Sequence, residues 1–553
     1  MDPLTRISTR TTAQTVSART EQVPNSAGGY VFAVAEKDRI CRFLTLGTEG
    51  TYYASAKDLT LDNAKIVLDW AANRPKDLTD LVVSISAAGR APKNNPALLA
   101  LAAAASLGDD DGRAYALAQL NEVARTGTHL FQFAGYVQQF RGWGRGLRRA
   151  VGDWYDTKDI DALAYQLLKY RQRDGWTHRD LLRLSHPHSN EANRNDLYSY
   201  ATHGDTPGLA LPGLVGAYEL AKDAGPGLLL DLIARQPLSW EMLPAEALNS
   251  PAVWRALISK GMPMTALIRQ LPRLTRLGVL AESSVRDRVI ADLTDPAKLR
   301  KARIHPVNVL VAQRTYAAGR SARGDGEWTP VRRITDALDA AFYASFGTVE
   351  PAGKRTLIGL DVSGSMAVPI SGMPLTAREA SAALAMVQLA TEPEADVVGF
   401  TGGGGYGGYG NTGQWVSPYG YQGNTPPPAA YGPLTELNIS PRQRLDDVVR
   451  SVSGLPFGRT DCALPMTWAL EQGRKYDTFV IYTDSETYAG SIHPFQALRK
   501  YRERTGLNAR LIVVGMTSTG FTIADPSDAG MLDVAGFDAA VPNLISDFSR
   551  GDV

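Results

Sequence analysis

Near residue 355 the period of the apolar residues changes, and this constrains the fold more than any other feature of the chain. Before it, from about residue 58 to 345, apolar side chains recur three and four positions apart in LDNAKIVLDWAANR, RAYALAQLNEVAR, DALAYQLLKYRQR, PGLVGAYELAKDA and TALIRQLPRL. That is the spacing of one helix face. Short connectors holding Gly, Pro, Asn or Asp separate the stretches. So long a run of short helices predicts a superhelical stack of α-hairpins rather than one bundle. Beyond the change, TLIGLDV, ADVVGFT, DTFVIYTD and ARLIVVGMT are β-rich apolar runs, with amphipathic LTAREASAALAMVQLAT, RQRLDDVVRSVS and PFQALRKYRERT between them. Strands alternating with helices predict a mostly parallel sheet covered on both faces. The expected fold class is α + α/β: a flexible tail over 1–28, a helical-repeat domain over 29–350 and an α/β domain over 351–553.

Residues 401–433, TGGGGYGGYGNTGQWVSPYGYQGNTPPPAAYGP, interrupt the second domain after its second strand. Their composition reads as a loop insertion or as an aromatic contact surface for RNA or protein. No Gly-Lys-Ser/Thr follows, so the glycines are not a phosphate loop. Cys41 and Cys462 form no CxxC and join no Cys/His cluster. This argues against structural zinc, thioredoxin-like chemistry and a disulfide scaffold, and fits a reducing cytoplasm. No stretch approaches the roughly 18 consecutive apolar residues that span a bilayer, and the first residues lack the apolar core of a signal peptide. The expectation is a cytoplasmic protein with no membrane partner.

Net charge is near zero, 58 Lys and Arg against 57 Asp and Glu. The sign is uneven, however. Basic residues are in excess before residue 350, clustered at Arg141–Arg149, Lys169–Arg183 and Arg255–Arg303, and acidic ones are in excess after it.

TLIGLDVSGSM places Asp361, Ser363 and Ser365 in the turn that leaves the first strand of the α/β domain. One carboxylate and two hydroxyls at this spacing can converge as hard oxygen ligands suited to Mg²⁺. Thr460, in GRTDCALPM, and Asp484, ending DTFVIYTD, lie where later strands end. So few carboxylates would leave the ion positive and one position open to an acidic group of a partner. The other reading of the DxSxS run is a helix cap or turn. Asp461 and Glu486 are neighbours able to substitute as ligands, or to cap loops. Neither serine lies in GxSxG and no histidine is placed as a base, so a binding role is favoured over catalysis.

In ALAYQLLKYRQRDGWTHRDLLRLSH, Lys169 and Arg173 are four apart, as on one helix face. Thr177 and Asp180 mark the start of the next helix, which should end near His186. Cations with a terminal imidazole suit RNA phosphates and a base. The same row also reads as a solvated surface.

GGYVFAVAEKDRICRFLTLGTEGTYYASAKDLTLDNA, THLFQFAGYVQQF, GWGRGLRRAVGDWY, KYRQRDGWTHRDLLRLSH, RKARIHPVNVLVAQRTYAAG and ALDAAFYASFGTVEPAGKRTLIGLDVSGSM resemble, in order, the Ro (TROVE-module) family. The resemblance runs from about residue 29 to the C-terminus, and the shortened chain is similar to the bacterial members. It implies a ring of HEAT-like superhelical repeats closed by a doubly wound, Rossmann-like von Willebrand factor A-type domain. Asp361, Ser363, Ser365, Thr460 and Asp484 match that domain's metal-ion-dependent adhesion site. The family binds small noncoding Y RNAs on its outer surface, where Lys169, Arg173 and His186 match. It takes single-stranded 3′ ends of defective noncoding RNAs through a central hole, for which Arg269, Arg273 and Arg276 are the candidates. Bacterial members associate with a 3′ exoribonuclease, polynucleotide phosphorylase, through a Y-like RNA. The resemblance thus implies a monomeric, non-enzymatic RNA-binding scaffold for RNA quality control. The competing expectation is a metal-dependent protein-interaction module that captures an acidic partner residue.

Overall fold

This computed structural model describes residues 11–46, 56–204, 208–321, 325–346, 349–369, 375–402, 433–440, 442–453, 455 and 458–552. The Gly/Tyr/Pro insertion lies almost wholly outside the described residues. The chain divides into two compact units: residues 64–347, and residues 1–63 together with 348–553.

The expected tail is not a tail from residue 11 onward, and the expected boundary at residue 29 is displaced. β1 (Gln22–Pro24) pairs antiparallel with β2 (Tyr30–Ala33), and the helix Glu36–Leu46 follows. All of this belongs to the α/β unit. The physical reason is that the polar groups of this segment find buried partners there. Gln14 is fully buried. Arg42, 1% exposed, meets both oxygens of Asp533 at 2.6 and 2.7 Å and also donates to the Thr519 carbonyl at 2.8 Å.

Helices fill the unit 64–347, as the three-and-four spacing predicts. The helix Asn95–Leu107 shows how they pack. Pro96 opens it, and the alanines at 100 and 102–105 are all buried, letting its backbone approach the neighbouring helices. The early loop of this array also meets a late one. Arg303 Nε donates to the Ala87 carbonyl at 2.7 Å, His305 Nε2 lies 2.8 Å from the Arg90 carbonyl, and Asn308 Nδ2 donates to the Pro92 carbonyl at 2.9 Å. Contacts within the helical unit itself therefore join elements 216 residues apart in sequence.

One local expectation fails here. Lys169 and Arg173 do not share a helix face, because the helix Ile160–Lys169 ends at Lys169. Arg173 lies in a hairpin of β3 (Gln172–Arg173) and β4 (Trp176–Thr177). Its turn residues Asp174 and Gly175 have φ of 51° and 82°, the left-handed pair that a two-residue hairpin turn requires and a helix excludes. The following start is as expected. Asp180 N donates to Thr177 Oγ1 at 3.2 Å and Thr177 N to Asp180 Oδ2 at 2.9 Å, opening His178–Ser185, which His186 caps at φ 49°.

The four expected α/β strands are β5 (Thr356–Asp361), β6 (Ala395–Phe400), β8 (Thr478–Thr483) and β9 (Arg510–Gly515). The edges β7 (Leu434–Leu437) and β11 (Met531–Ala535), and β10 (Phe521–Thr522), were not anticipated. The sheet order is β11-β9-β8-β5-β6-β7, parallel except for β7, and β10 joins β2 in a separate three-stranded sheet. Every residue of β5 and β8 is buried. Gly359 sits in β5 because a Cβ there would lie 2.7 Å from Ile481 Cδ1. β6 and β8 flank β5 on opposite sides, so the carboxyl end of β5 is the switch point where such sheets bind ligands.

Candidate metal centre and nucleic-acid interface

Asp361 closes β5 at that switch point, Ser363 precedes and Ser365 lies within the turn Gly364–Ala367, and Asp484 follows β8. Asp361, Ser363, Ser365, Thr460 and Asp484 are each 3% exposed or less. Asp361 Oδ1 accepts from Ser363 N at 2.9 Å and Oδ2 from Thr483 Oγ1 at 2.7 Å. The two serine hydroxyls are 3.1 Å apart. The Thr460 carbonyl accepts from Tyr488 N and Ala489 N at 3.1 and 2.9 Å, fastening its loop to the one after β8. The loops of three of the expected ligand positions are therefore joined by hydrogen bonds.

Asp484 Oδ1 accepts from Glu486 N at 3.0 Å, while Oδ2 is buried and among the described residues has no partner in hydrogen-bonding geometry, the Ser365 hydroxyl only favouring the carboxylate's charged form. A carboxylate oxygen left so carries a desolvation penalty of about 1–3 kcal/mol or more. Burial pushes both Asp361 and Asp484 above the usual carboxylate range, and for Asp484 the charge of Asp361 adds to it. A divalent cation would relieve both effects. Among the described residues no group of three or more His, Cys, Asp or Glu could hold a metal, so an ion here would rely on hydroxyls and water, a set that fits Mg²⁺.

Sequence reasoning missed Arg378. Its guanidinium is 5% exposed and donates to the carbonyls of Val362 and Ser363, the latter at 2.8 Å. It braces the ligand turn and favours a charged Asp361. Asp461 takes the loop role, its Oδ1 accepting from Ala463 N at 3.0 Å and Gln14 Nε2 at 2.7 Å. Glu486 Oε2 accepts from Ala27 N at 3.0 Å, and burial pushes its pKa up to about 8.

In the helical unit the cations sort differently from the expectation. The Lys169 side chain is only 8% exposed. Its Nζ lies 3.8 Å from Glu241 Oε1, 3.2 Å from the Tyr165 hydroxyl and 5.2 Å from the Tyr170 ring centre. It is an internal brace. Arg173 is 58% exposed, within 3.4 Å of Asp174, and His186 is exposed. Arg179, Arg183 and His186 follow at steps of four and three along one helix, all exposed. Arg171 is exposed as well. Among the described residues Arg171, Arg179 and Arg183 have no ion pair. The i, i+4, i+7 spacing was readable in RDLLRLSH. On the helix Met264–Arg276, Arg269 and Arg276 are exposed, and the Arg273 guanidinium lies 5.7 Å from the Trp254 ring centre. The three again share one face.

A helical-repeat array and an A-type α/β sheet with a hydroxyl-rich oxygen site, carried on one chain, define the class of protein. Residues 23–206 and 224–315 match the TROVE domain, and residues 355–407 and 425–549 match the Ro60 vWA domain. The chain is 39% identical to the RNA-binding protein RO60 of Deinococcus radiodurans, over 98% of this chain and 97% of that one. It is 37% identical to the RNA-binding protein RO60 of Caenorhabditis elegans, over 96% of this chain and 90% of that one. The crystal structure of the Deinococcus radiodurans RO (RSR) protein superimposes with a TM-score of 0.68 at 38% identity, covering 94% of this chain and all of that one. The chain belongs to the Ro60 family.

Proposed function

We propose that the chain is a non-enzymatic RNA-binding scaffold. It holds a Y-like small noncoding RNA on the face carrying Arg173, Arg179, Arg183 and His186, with Lys169 bracing that face from within. The observation that carries this reading is the pair of exposed arginines on that face, Arg179 and Arg183, that have no ion pair among the described residues. Cations with no carboxylate to neutralise them are free to exchange their counterions for phosphates. Unpaired 3′ ends of misfolded noncoding RNA bind along Arg269, Arg273 and Arg276. A 3′ exoribonuclease such as polynucleotide phosphorylase then acts on the RNA so held. The contact of the segment Arg303–Asn308, which opens the helix Pro306–Ala317, with Ala87–Pro92 supports an array that encloses an opening. An opening one strand wide admits a single strand and refuses a duplex.

The test is salt-dependent binding of a small hairpin RNA. Arg173→Ala with Arg183→Ala should lower the slope of log affinity against log salt by about two, the loss of two phosphate contacts. An unchanged slope rejects the assignment.

A second reading concerns the α/β unit, and the unpartnered Asp484 Oδ2 favours it. Mg²⁺ held by Asp361, Ser363, Ser365, Thr460 and Asp484 would offer an open position to an acidic group of a protein partner. Chelation should abolish that capture and leave RNA binding intact. Among the described residues no helix is long and apolar enough to cross a membrane.

A further inference from the structure

At the seam where the early loop of the helical unit meets the late segment, two arginines lie on consecutive carbonyls. Arg125 Nη1 donates to the Ser86 carbonyl at 3.0 Å and to its hydroxyl at 2.9 Å, and Arg303 Nε donates to the Ala87 carbonyl at 2.7 Å. Each guanidinium thus engages neutral oxygens through a single nitrogen. Among the described residues their other nitrogens have no protein partner, and neither arginine forms an ion pair. Arg303 is exposed and Arg125 half-buried.

The two charges oppose each other. Burial, and then the charge of Arg303, hold the Arg125 pKa down to about 10, and the Glu122 carboxylate offsets less than Arg303 contributes. His129 adds no further charge, because burial and Arg125 hold its pKa down to about 4.

The backbone is strained to put Arg303 there. It lies two positions past the helix Pro296–Lys301 with φ 49°, at a helix end where glycine is the usual residue. Ile304 N donates to the Leu299 carbonyl at 3.0 Å, the bond that closes such an end. Across the seam Gly89, at φ 69°, makes room, since a Cβ there would lie 2.9 Å from Arg303 Cβ. A left-handed arginine and a facing glycine together bring one unneutralised cation up to another.

Charge narrows the occupant. Two guanidiniums without a carboxylate suit an anion of charge two, and phosphate in its monoester or inorganic form carries about −1.5 to −2 near pH 7. Its oxygens match the forked nitrogens of arginine. A diester within an RNA backbone carries one charge and two substituents, so it would answer only one of the pair.

We propose that this seam binds one free phosphate-class dianion between Arg125 and Arg303, and that the anion fastens the loop 86–90 to the segment 303–308. It would reinforce the contacts that His305 and Asn308 make with the Arg90 and Pro92 carbonyls. The inference needs only the meeting of these two segments within the helical unit, and it stands apart from the RNA-binding reading.

The experiment titrates the full chain with inorganic phosphate by calorimetry at constant ionic strength, and follows hydrogen exchange at Gly89 and Arg90 with and without it. One phosphate should bind per chain and slow exchange at both amides, and sulfate should compete. Arg303→Gln and Arg125→Gln should each weaken phosphate about tenfold or more, as loss of a charge-assisted hydrogen bond requires, and should remove the slowing. Arg303→Lys, which keeps the charge without the fork, should retain part of the affinity, and with Arg303→Gln it decides the matter if Arg125→Gln does not fold. No binding at millimolar phosphate overturns the proposal. Slower exchange that persists in the glutamine variants also overturns it, because that is the general stabilisation such salts give any folded chain. Displacement of phosphate by a dinucleotide without terminal phosphates would assign the two arginines to an RNA backbone and reject the free anion.

Discussion

Gln14 Nε2 donates to Asp461 Oδ1 at 2.7 Å, across 447 residues of sequence. The same amide donates to the Ile492 carbonyl at 2.9 Å and accepts from Thr487 Oγ1 at 2.6 Å and Gly490 N at 3.1 Å. One buried side chain near the N-terminus therefore binds the Thr460 loop to the loop that follows Asp484. Gln14→Ala leaves several of these groups buried and unpaired, and should cost about 2–4 kcal/mol of stability. Thermal unfolding measures the loss, and calorimetric Mg²⁺ titration of the folded variant should show weaker binding. A variant with wild-type unfolding and metal affinity would remove Gln14 from this role.

Much of the α/β unit could be read from the sequence because β5 and β8 are buried along their whole length and β6 and β9 along all but their first one or two residues, as largely apolar runs. β11, MLDVA, is an edge with a mixed burial pattern, and such strands lack that signal. The segment 11–28 was read as a tail because polar composition says nothing about whether a distant loop will satisfy it. Gln14 is the clearest instance. In the candidate sites, the acid and hydroxyl positions followed from strand ends. The spacing of four between Lys169 and Arg173 reads as one helix face, but the Asp174-Gly175 pair that follows favours a hairpin turn and prevails. The inward course of Lys169 toward Glu241, 72 positions further on, had no local signal.

The Lys169 geometry separates two roles that the spacing had merged. A lysine packed on Tyr165 and Tyr170 beside Glu241 supports the wall rather than a phosphate. Lys169→Ala should lower the midpoint of thermal unfolding by a few degrees, about 1 kcal/mol, with the salt slope of hairpin-RNA binding unchanged. Arg183→Ala should do the reverse, leaving unfolding unchanged and lowering the slope by about one.

The carboxyl groups of the metal centre make stability depend on pH with a definite sign. Burial, then the charge of Asp361, pushes Asp484 from 3.8 up to about 7. Over that interval the folded chain keeps a proton that the unfolded chain has released, so stability falls as pH rises. Without metal, unfolding should come several degrees higher at about pH 5 than at about pH 8. Mg²⁺ replaces the proton, so it should stabilise the chain more at the higher pH. Asp484→Asn should make the metal-free profile shallower, with buried Glu486 and Asp361 keeping part of the slope, and should abolish the Mg²⁺ effect. A metal-free chain more stable at the higher pH would contradict this account.

Arg42 and Asp533 test where the α/β unit begins. The guanidinium is 1% exposed and reaches both carboxylate oxygens. Removing one partner of such a pair leaves the other charge buried, at a cost of about 3–5 kcal/mol. Arg42→Ala should lower the unfolding temperature of the α/β unit, with the helical unit unfolding as before. Loss of the helical transition alone would return residues 30–46 to the helical domain.

The contact between the early and late loops of the helical unit turns on His305, which is 2% exposed. Val307 N donates to its Nδ1 at 3.2 Å, so Nε2 carries the proton and donates to the Arg90 carbonyl, 2.8 Å away. The ring thus caps its own helix with one nitrogen and joins the distant loop with the other. His305→Ala removes both interactions and should destabilise the unit by about 1–3 kcal/mol. His305→Asn can still cap the helix, but its shorter side chain should not reach Arg90. Both variants should therefore accelerate hydrogen exchange at Gly89 and Arg90, whose amides lie in the released loop, but only His305→Ala should also accelerate it at Val307. If RNA 3′ ends bind within an enclosed array, the asparagine variant should also accept duplex ends that the wild type refuses, in a competition between single-stranded and blunt RNAs. Faster exchange at Arg90 with unaltered end selection would leave the loop contact as a stabilising feature and separate it from RNA recognition.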